Sequence, residues 1–269
     1  MTATPVRPIA LVSPLGGTGC TTLTAHLATL LATRNQPCLA IDLCAQNMLG
    51  RHLGMQQSAK SGWATLAAEH QWWGQAALSN SDGVDLLPFG AASTPAMDTL
   101  QREWALTPEW LRHQLDALEV PAGSAIFLDT PPWPAPLALQ ALTAARIVLI
   151  VLEASARACH AQPLVTQVLA WAPPDAHCAI TINRVDPRRA SQRRALETLR
   201  TQWGTLLLPY VVHEDENIAQ ACEYATSVCT RTPHTQSSHD LQGIGQWLLD
   251  HLAAAATADP RTTPLPQPL

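Results

Sequence analysis

The sequence predicts an α/β fold, a doubly wound and mostly parallel sheet with helices on both faces. Three observations lead to this prediction. Short apolar segments typical of buried parallel strands recur along the chain, longer segments with helical patterning separate them, and a glycine-rich turn joins the first strand to the first helix. Regular alternation of strands and helices is characteristic of parallel sheets.

The strands are predicted from apolar segments of five to seven residues. They are Ile9–Pro14, Cys38–Leu43, Asp85–Gly90, Ala125–Asp129, Ile147–Leu152, Cys178–Asn183 and Leu206–Val212. The helices are predicted from capping signals and from charge spacing. They are Thr21–Ala32 after the glycine turn, one that begins at Thr107-Pro108-Glu109, Ser191–Gln202, and a last amphipathic helix from Ser238 to about Ala255.

The chain is expected to form one P-loop nucleotide-binding domain over residues 1–256. Residues 53–83 are rich in alanine, glutamine and tryptophan and are predicted to be an insertion of one or two helices. Residues 257–269 are rich in proline and predicted to be a disordered tail. In the pair Trp72-Trp73, both indoles cannot face the core from one helix, so one of them is expected at a surface or an interface.

Composition excludes several classes of protein. With 47% hydrophobic residues the chain can bury a large core, yet it has no apolar run long enough for a membrane span and its first residues lack the pattern of a secretion signal, so a cytoplasmic location is expected. The seven cysteines form no C-x-x-C pair and no zinc-ligand spacing with the histidines. A net charge of -5 argues against general attraction to nucleic acid or anionic lipid.

The segment Pro14–Thr22, called the phosphate loop below, is the most informative part of the sequence. It reads PLGGTGCTT, follows the first predicted strand and opens the first predicted helix. Glycines allow the backbone to wrap a phosphate with its N–H groups pointing inwards, and the helix N-terminus adds a favourable dipole. Thr21 lies where a hydroxyl would bind magnesium. Because the loop has no lysine, the segment taken alone is equally typical of an ordinary glycine-rich turn.

Polar residues that end other strands favour the phosphate-binding interpretation. Asp42 ends the second strand, Asp129-Thr130-Pro131-Pro132 follows a later one, and Asn183-Arg184 ends another. The carboxyl ends of parallel strands meet at one edge of a sheet, where folds of this class bind ligands. We therefore expect these side chains beside the phosphate loop.

With these residues in place, the chain resembles the ParA/MinD group of ATPases, whose deviant Walker A loop reads K-G-G-x-G-K-[ST]. The resemblance spans most of the chain and implies ATP and Mg²⁺ as cofactors and a homodimer that encloses two nucleotides. Magnesium is then expected on Thr21, Asp42 and Asp129, partly through water, and the adenine on Asn183. The residues expected to contact the nucleotide are Gly16, Gly17, Thr18, Gly19, Cys20, Thr21, Thr22, Asp129 and Asn183.

Three positions depart from the pattern of that group. Leu15 replaces its signature lysine, Cys20 its loop lysine, and Cys44 the second aspartate of a motif that begins at Asp42. If each lost lysine contact is worth about 1.5–3 kcal/mol, phosphate binding is weakened by about 3–6 kcal/mol unless another group compensates. Hydrolysis is expected to be very weak or lost, and no catalytic residue is assigned beyond a possible role for Asp42. Cys20, a thiol at a helix N-terminus, is expected to have a lowered pKa and to be reactive.

Within that group the chain resembles the BcsQ subfamily, accessory proteins of bacterial cellulose synthase operons. The segments that carry this resemblance are Gly62-Trp63-Ala64, Asp85–Gly90, and Leu207-Leu208-Pro209 with His213, Asp215 and Glu216. The resemblance implies a role in cellulose synthesis and secretion. The implied partners are the membrane synthase complex and small accessory proteins of the same machinery, which would recruit the protein to the inner membrane. Nothing in composition or periodicity indicates cellulose.

An alternative function rests on six clustered arginines, which suggest an anionic partner such as DNA, lipid headgroups or an acidic protein. They are Arg184, Arg188, Arg189, Arg193, Arg194 and Arg200. An active ATPase that positions itself on DNA or a membrane would use such a surface. A solvated helix face, with Arg193 paired to Glu197, is the simpler interpretation. For His213, Asp215 and Glu216, a loop beside the nucleotide or an ordinary polar surface is favoured over acid–base chemistry or metal binding.

Overall fold

The computed structural model describes residues 7–55 and 62–257 of the chain, and these residues form an eight-stranded sheet covered by helices on both faces. The strands run in the order β3-β4-β2-β5-β1-β6-β7-β8, and all neighbours are parallel except the antiparallel edge pair β3 and β4. The strands are β1 Arg7–Val12, β2 Cys38–Asp42, β3 Leu78–Ser79, β4 Val84–Leu87, β5 Ala125–Asp129, β6 Ile147–Glu153, β7 His177–Val185 and β8 Leu207–His213. The predicted fold class is confirmed.

The helices of the described residues connect these strands. They are α1 Cys20–Thr33, α2 Leu49–His52, α3 Trp63–Ala68, α4 Thr94–Leu106, α5 Trp110–Asp116, α6 Pro136–Ala144, α7 Ala156–His160, α8 Gln162–Trp171, α9 Ala190–Trp203, α10 Glu216–Glu223, α11 Val228–Arg231 and α12 Gln236–Thr257. Among them none is both long enough and apolar enough to cross a bilayer.

Burial on both faces explains why the central strands are almost wholly apolar. The strands β2 and β5 are buried throughout, and β6 is buried up to its last residue. One face packs against α1 and α12 through leucines such as Leu27 and Leu248, and the opposite face packs against a second core that includes α4, α5 and α6.

Two local predictions need correction: the start of one helix and the content of the insertion. The helix predicted to start at Thr107-Pro108-Glu109 begins at Trp110, because Thr107 instead ends the preceding helix α4. That helix had not been predicted, although Ser93 caps it by accepting a hydrogen bond from the Ala96 N–H and Pro95 lies in its first turn.

The predicted insertion, residues 53–83, contains α3, a short 3₁₀ turn and the edge strand β3. The predicted tail, residues 257–269, lies outside the described residues apart from Thr257.

Five aromatic residues pack together on the α4 and α5 side of the sheet and are called the tryptophan cluster below. They are Trp63, Trp73, Phe89, Trp104 and Trp110. Their ring centroids are 5.0–6.5 Å apart, mostly in edge-to-face or tilted geometry. Trp73 is fully buried whereas its neighbour Trp72 is 51% exposed, which is the division expected for adjacent indoles.

Candidate nucleotide site

The phosphate loop joins β1 to α1 at the carboxyl edge of the sheet. Its turns depend on glycine, since Gly17 and Gly19 have φ angles of 79° and 94°, a region that side chains with a Cβ rarely adopt. Gly19 is the N-cap of α1, so the first N–H groups of the helix open towards the loop. The backbone here has the form of an anion-binding turn.

Asn183, near the carboxyl end of β7, contacts the phosphate loop and fixes its position. Its amide Nδ2 donates a hydrogen bond of 2.7 Å to the carbonyl oxygen of Thr18, and the residue is only 4% exposed. A Cβ on Gly19 would lie 2.4 Å from the same nitrogen. Asn183 therefore positions the loop, a contact that sequence reasoning did not anticipate, and its predicted role in reading adenine remains a prediction.

Asp42 and Asp129 lie side by side at the ends of the neighbouring strands β2 and β5, and are called the carboxylate pair below. Both residues are fully buried. Asp42 accepts hydrogen bonds from the backbone N–H groups of Cys44 and Leu49, at 2.9 Å and 3.0 Å. Neither carboxylate oxygen of Asp129 has a partner of ordinary hydrogen-bond geometry within the described part of the chain.

Burial governs the charge of this pair. It raises the pKa of Asp42 to about 6, although the Cys44 and Leu49 N–H groups act in the opposite direction. The pKa of Asp129 is raised well above its ordinary value, first by burial and then by the charge of Asp42, while the Thr21 hydroxyl lowers it only in part. Two buried carboxyl groups without a cation are thus a source of instability.

A magnesium ion suits these residues. Oxygen atoms of Asp42 and Asp129 lie within 4.8 Å of each other and of the Cys44 sulfur, and Thr21 adds a hydroxyl beside Asp129. Mg²⁺ prefers carboxylate oxygens, phosphate oxygens and water, and its charge would offset that of the pair. The unpartnered oxygens of Asp129 are the observation that makes the fit specific. Thr21, Asp42 and Asp129, the residues predicted to hold magnesium, lie close together.

Cys44 occupies the position of the missing aspartate, and it is almost fully buried. Its thiol lies 3.7 Å from the carbonyl oxygen of Asp129. Burial, followed by the charges of Asp129 and Asp42, raises the pKa of Cys44, so the thiol stays neutral. It therefore cannot act as a carboxylate that orients water.

The expectation that Cys20 is a reactive thiolate is wrong. Burial, followed by the charge of Asp129, raises the pKa of Cys20 to about 12, and a contact of 3.8 Å with the Thr18 hydroxyl lowers it only slightly. The residue is partly exposed, but protein atoms surround its thiol. Burial of the thiol, and then the nearby charge of Asp129, outweigh the effect of the helix dipole on the pKa of Cys20.

The polar residues near the end of β8 have structural roles. His213 bonds through Nδ1 to the Asp240 carboxylate at 2.8 Å. Asp215 caps α10 by accepting a hydrogen bond from the Asn217 N–H, and it also accepts one from the Ser237 hydroxyl. Glu216 lies in the first turn of that helix. These contacts favour the simple interpretation of this segment over acid–base chemistry.

Three of the six arginines in the cluster form ion pairs. Arg184 bonds to Glu214 at 3.0 Å, and Arg188 and Arg189 both bond to Asp186, at 2.9 Å and 3.2 Å. Arg193 donates to the Pro187 carbonyl oxygen at 2.7 Å instead of forming the ion pair expected with Glu197. Pairing of this kind reduces the positive field available to an anionic partner.

Sequence reasoning missed one cation beside the phosphate loop. Arg157, in α7, donates through Nη2 to the carbonyl oxygen of Gly16 at 3.2 Å and to the carboxylate of Glu153 at 2.8 Å. The spacing of Glu153 and Arg157, four residues apart, indicates their ion pair, but it does not indicate the contact with Gly16.

Comparison with known proteins identifies relatives over most of the chain. The family model described as "Cellulose biosynthesis protein BcsQ" matches residues 7–249. The cellulose biosynthesis protein BcsQ of Salmonella typhi is 28% identical over 244 residues, which cover 90% of this chain and 94% of that protein. The chromosome-partitioning ATPase Soj of Thermus thermophilus is 27% identical over 255 residues, or 93% of this chain and 98% of that protein.

A solved structure shares the fold. The septum site-determining protein MinD of Pyrococcus horikoshii, in complex with Mg-ADP, gives a TM-score of 0.73 at 21% identity, covering 94% of this chain and 99% of that chain.

Proposed function

The chain belongs to the BcsQ family of cellulose biosynthesis proteins, of the ParA/MinD type, and from this premise we propose that it is a nucleotide-dependent accessory factor of cellulose synthesis and secretion. It binds ATP with Mg²⁺, forms a homodimer in that state and hydrolyses ATP very slowly. It assists the membrane synthase complex through protein contacts, which recruit it to the inner membrane.

The observation that carries this proposal is the unpartnered Asp129 carboxylate beside the phosphate loop. A buried charge without a partner costs free energy, and such groups persist where a ligand compensates them. A magnesium ion that accompanies a nucleotide supplies this compensation. The relatives support nucleotide binding with magnesium, since Soj is described as an ATPase and MinD is solved with Mg-ADP.

Each part of the site has a role in binding. The backbone N–H groups of the phosphate loop and of the first turn of α1 bind the phosphates. Thr21, Asp42 and Asp129 would hold the magnesium ion, whose charge would offset that of the phosphates. Asn183 keeps the loop in its binding conformation through the Thr18 carbonyl.

Slow hydrolysis follows from the groups that are missing. Phosphoryl transfer is accelerated by cations that stabilise developing charge and by groups that orient the attacking water. Here Leu15 and Cys20 carry no positive charge, and the buried Cys44 thiol is neutral. The nucleotide then acts chiefly as a switch for dimerisation and partner binding.

Restoring the missing charged groups tests the proposal that ATP hydrolysis is slow. We expect wild-type turnover near the limit of a coupled phosphate-release assay, and Cys20→Lys alone to rescue little of it because water remains unoriented. The double variant Cys20→Lys, Cys44→Asp should gain more than the sum of the two single changes, since both groups act on one transition state. Rapid turnover by the wild type would contradict the proposal.

An active ATPase that acts on DNA or a membrane is the second candidate. Three of the six arginines that would favour it are paired with Asp186 or Glu214. Retention on DNA or sedimentation with anionic liposomes would support this candidate if the bound fraction falls steeply as the salt concentration rises.

A further inference from the structure

The phosphate loop is unusual in containing no cation of its own. Residues 13–24 include no lysine, arginine or histidine, and Lys60 is the only lysine in the whole sequence. Backbone N–H groups and a magnesium ion can hold phosphates, but a triphosphate carries more negative charge than one divalent ion offsets. A nucleotide at this loop therefore calls for a positive side chain from elsewhere, which in this chain means an arginine.

Arg157 is the arginine that reaches the loop. Within residues 7–55 and 62–257 it is the one cation that hydrogen bonds to the phosphate loop, through the Gly16 carbonyl oxygen at 3.2 Å. Gly16 directly follows Leu15, the residue that replaces a lysine. The other arginines at this edge of the sheet are engaged elsewhere, Arg184 with Glu214 and Arg188 with Asp186.

The position of Arg157 is fixed by local structure, while its charge remains available. Ser155 caps α7 by accepting a hydrogen bond from the Ala158 N–H and also donates to Glu153 at 3.2 Å. Both protein contacts of Arg157 use Nη2, so Nε and Nη1 have no hydrogen-bond partner in the described part of the chain. The side chain is 54% exposed and can reorient. Free N–H groups of a guanidinium match the geometry of phosphate oxygens.

We propose that Arg157 binds a phosphate oxygen of the nucleotide at this loop and supplies positive charge that Leu15 and Cys20 do not provide. Glu153 holds the guanidinium at the loop before the nucleotide arrives and competes with the phosphate for it. The inference rests on the proposed function, because it requires a nucleotide at the loop.

The experiment is a titration of Mg–ATP into four single variants by calorimetry at low ionic strength. Arg157→Ala should bind about 10- to 100-fold more weakly than the wild type, the range of a charge-assisted hydrogen bond, and Arg157→Lys should recover part of the loss. Arg200→Ala is the matched control, an exposed arginine near the far end of α9, and should bind as the wild type does. Glu153→Gln should bind about two- to fivefold more tightly, because it removes the competing charge and keeps an acceptor for Ser155.

A merely structural role for Arg157 would not produce this pattern. The gain from Glu153→Gln should vanish in the double variant with Arg157→Ala, and the melting temperatures of the nucleotide-free variants should stay close to that of the wild type. Equal affinity of Arg157→Ala and the wild type would overturn the assignment of Arg157 alone. A wild type that binds no nucleotide would overturn the proposed function, and the assignment with it.

Discussion

The carboxylate pair and the tryptophan cluster meet at Asp42 and are built on opposite principles. The cluster fills its volume with aromatic rings, and Trp63 donates its indole N–H to the Asp42 carbonyl oxygen at 2.8 Å. The carboxylate pair places two acidic groups in a buried space and leaves Asp129 without a partner among the described residues. The cluster is complete without a ligand, whereas the pair is not.

The tryptophan cluster therefore serves stability, whereas the carboxylate pair serves ligand binding. Aromatic packing contributes free energy of folding whether or not a ligand is present. The carboxylate pair lowers the stability of the ligand-free protein and recovers that free energy when a cation binds. The indole N–H groups of Trp73 and Trp104 also lack partners in the described residues, but they are neutral and cost less than a carboxylate.

Removing a ring from the cluster should have the largest effect on stability. Trp63→Ala should lower the free energy of unfolding by about 3–5 kcal/mol, because it deletes the ring that packs against the other four members. Urea unfolding followed by circular dichroism measures the change. A loss below about 1 kcal/mol would mean that the cluster is not a stabilising core.

Crowding the phosphate loop should have the largest effect on binding. Gly19→Val should reduce Mg–ATP affinity more than about 100-fold, because the new Cβ meets Asn183 and the φ angle of 94° disfavours a branched side chain. Gly123→Val is the matched control, since Gly123 lies outside the phosphate loop, has a positive φ angle of 77° and has nothing within 4 Å of an added Cβ, so it should leave the Mg–ATP affinity unchanged. Undiminished binding by Gly19→Val would place the nucleotide elsewhere.

Neutralising Asp129 should stabilise the ligand-free protein and abolish its response to magnesium. Asp129→Asn should raise the free energy of unfolding at pH 8 by about 1–3 kcal/mol, because it removes a buried and unpartnered charge while keeping the shape of the side chain. The folded-state pKa of Asp129 is raised, so the stability linked to its protonated form is fully present below the unfolded value near 4 and is lost as pH rises through the folded value.

The benefit of Asp129→Asn over the wild type should therefore be small near pH 4 and grow towards pH 8. Thermal unfolding at a series of pH values, with and without Mg–ATP, checks this. Asp42, with a pKa of about 6, and the Cys44 thiol face the same group, so Asp42→Asn serves as a second variant. A variant that is less stable than the wild type at pH 8 would contradict the description of the pair.

The smallest effect is expected at the exposed neighbour of the cluster. Trp72→Ala should change the free energy of unfolding by less than about 0.5 kcal/mol, because half of the side chain already faces solvent. Urea unfolding beside Trp63→Ala gives the comparison. If Trp72→Ala instead weakens dimerisation, the side chain belongs to an interface, as the sequence suggested for one member of this pair.

Much of the fold follows from local sequence. The strand β5 was predicted with its observed limits, Ala125–Asp129, because its apolar run is bounded by clear polar signals. The helix α4 was missed because it buries only Leu100 and Trp104 and so shows a weak apolar stripe, which left its cap at Ser93 as the stronger signal. Asp42 and Asp129 were correctly expected near each other, since parallel strands end at one edge.

The contacts that could not be predicted join residues that are far apart in the sequence. The bond from Asn183 to Thr18 spans 165 positions, and although its strand end predicted Asn183 beside the phosphate loop, nothing in either segment indicates which backbone group it contacts. The raised pKa of Cys20 has the same origin, because the charge of Asp129 comes from another strand and burial outweighs the helix dipole that the local sequence reveals. Arg157 reaches Gly16 in the same way, across 141 positions.

The mass of the protein in solution with saturating Mg–ATP, followed over several hours, tests the central claim most directly. If the nucleotide is a slowly hydrolysed switch, the mass should double on addition of Mg–ATP and stay doubled, while Asp129→Asn remains monomeric under the same conditions. A wild type that stays monomeric throughout, or a dimer that reverts within minutes as ADP accumulates, would contradict the account.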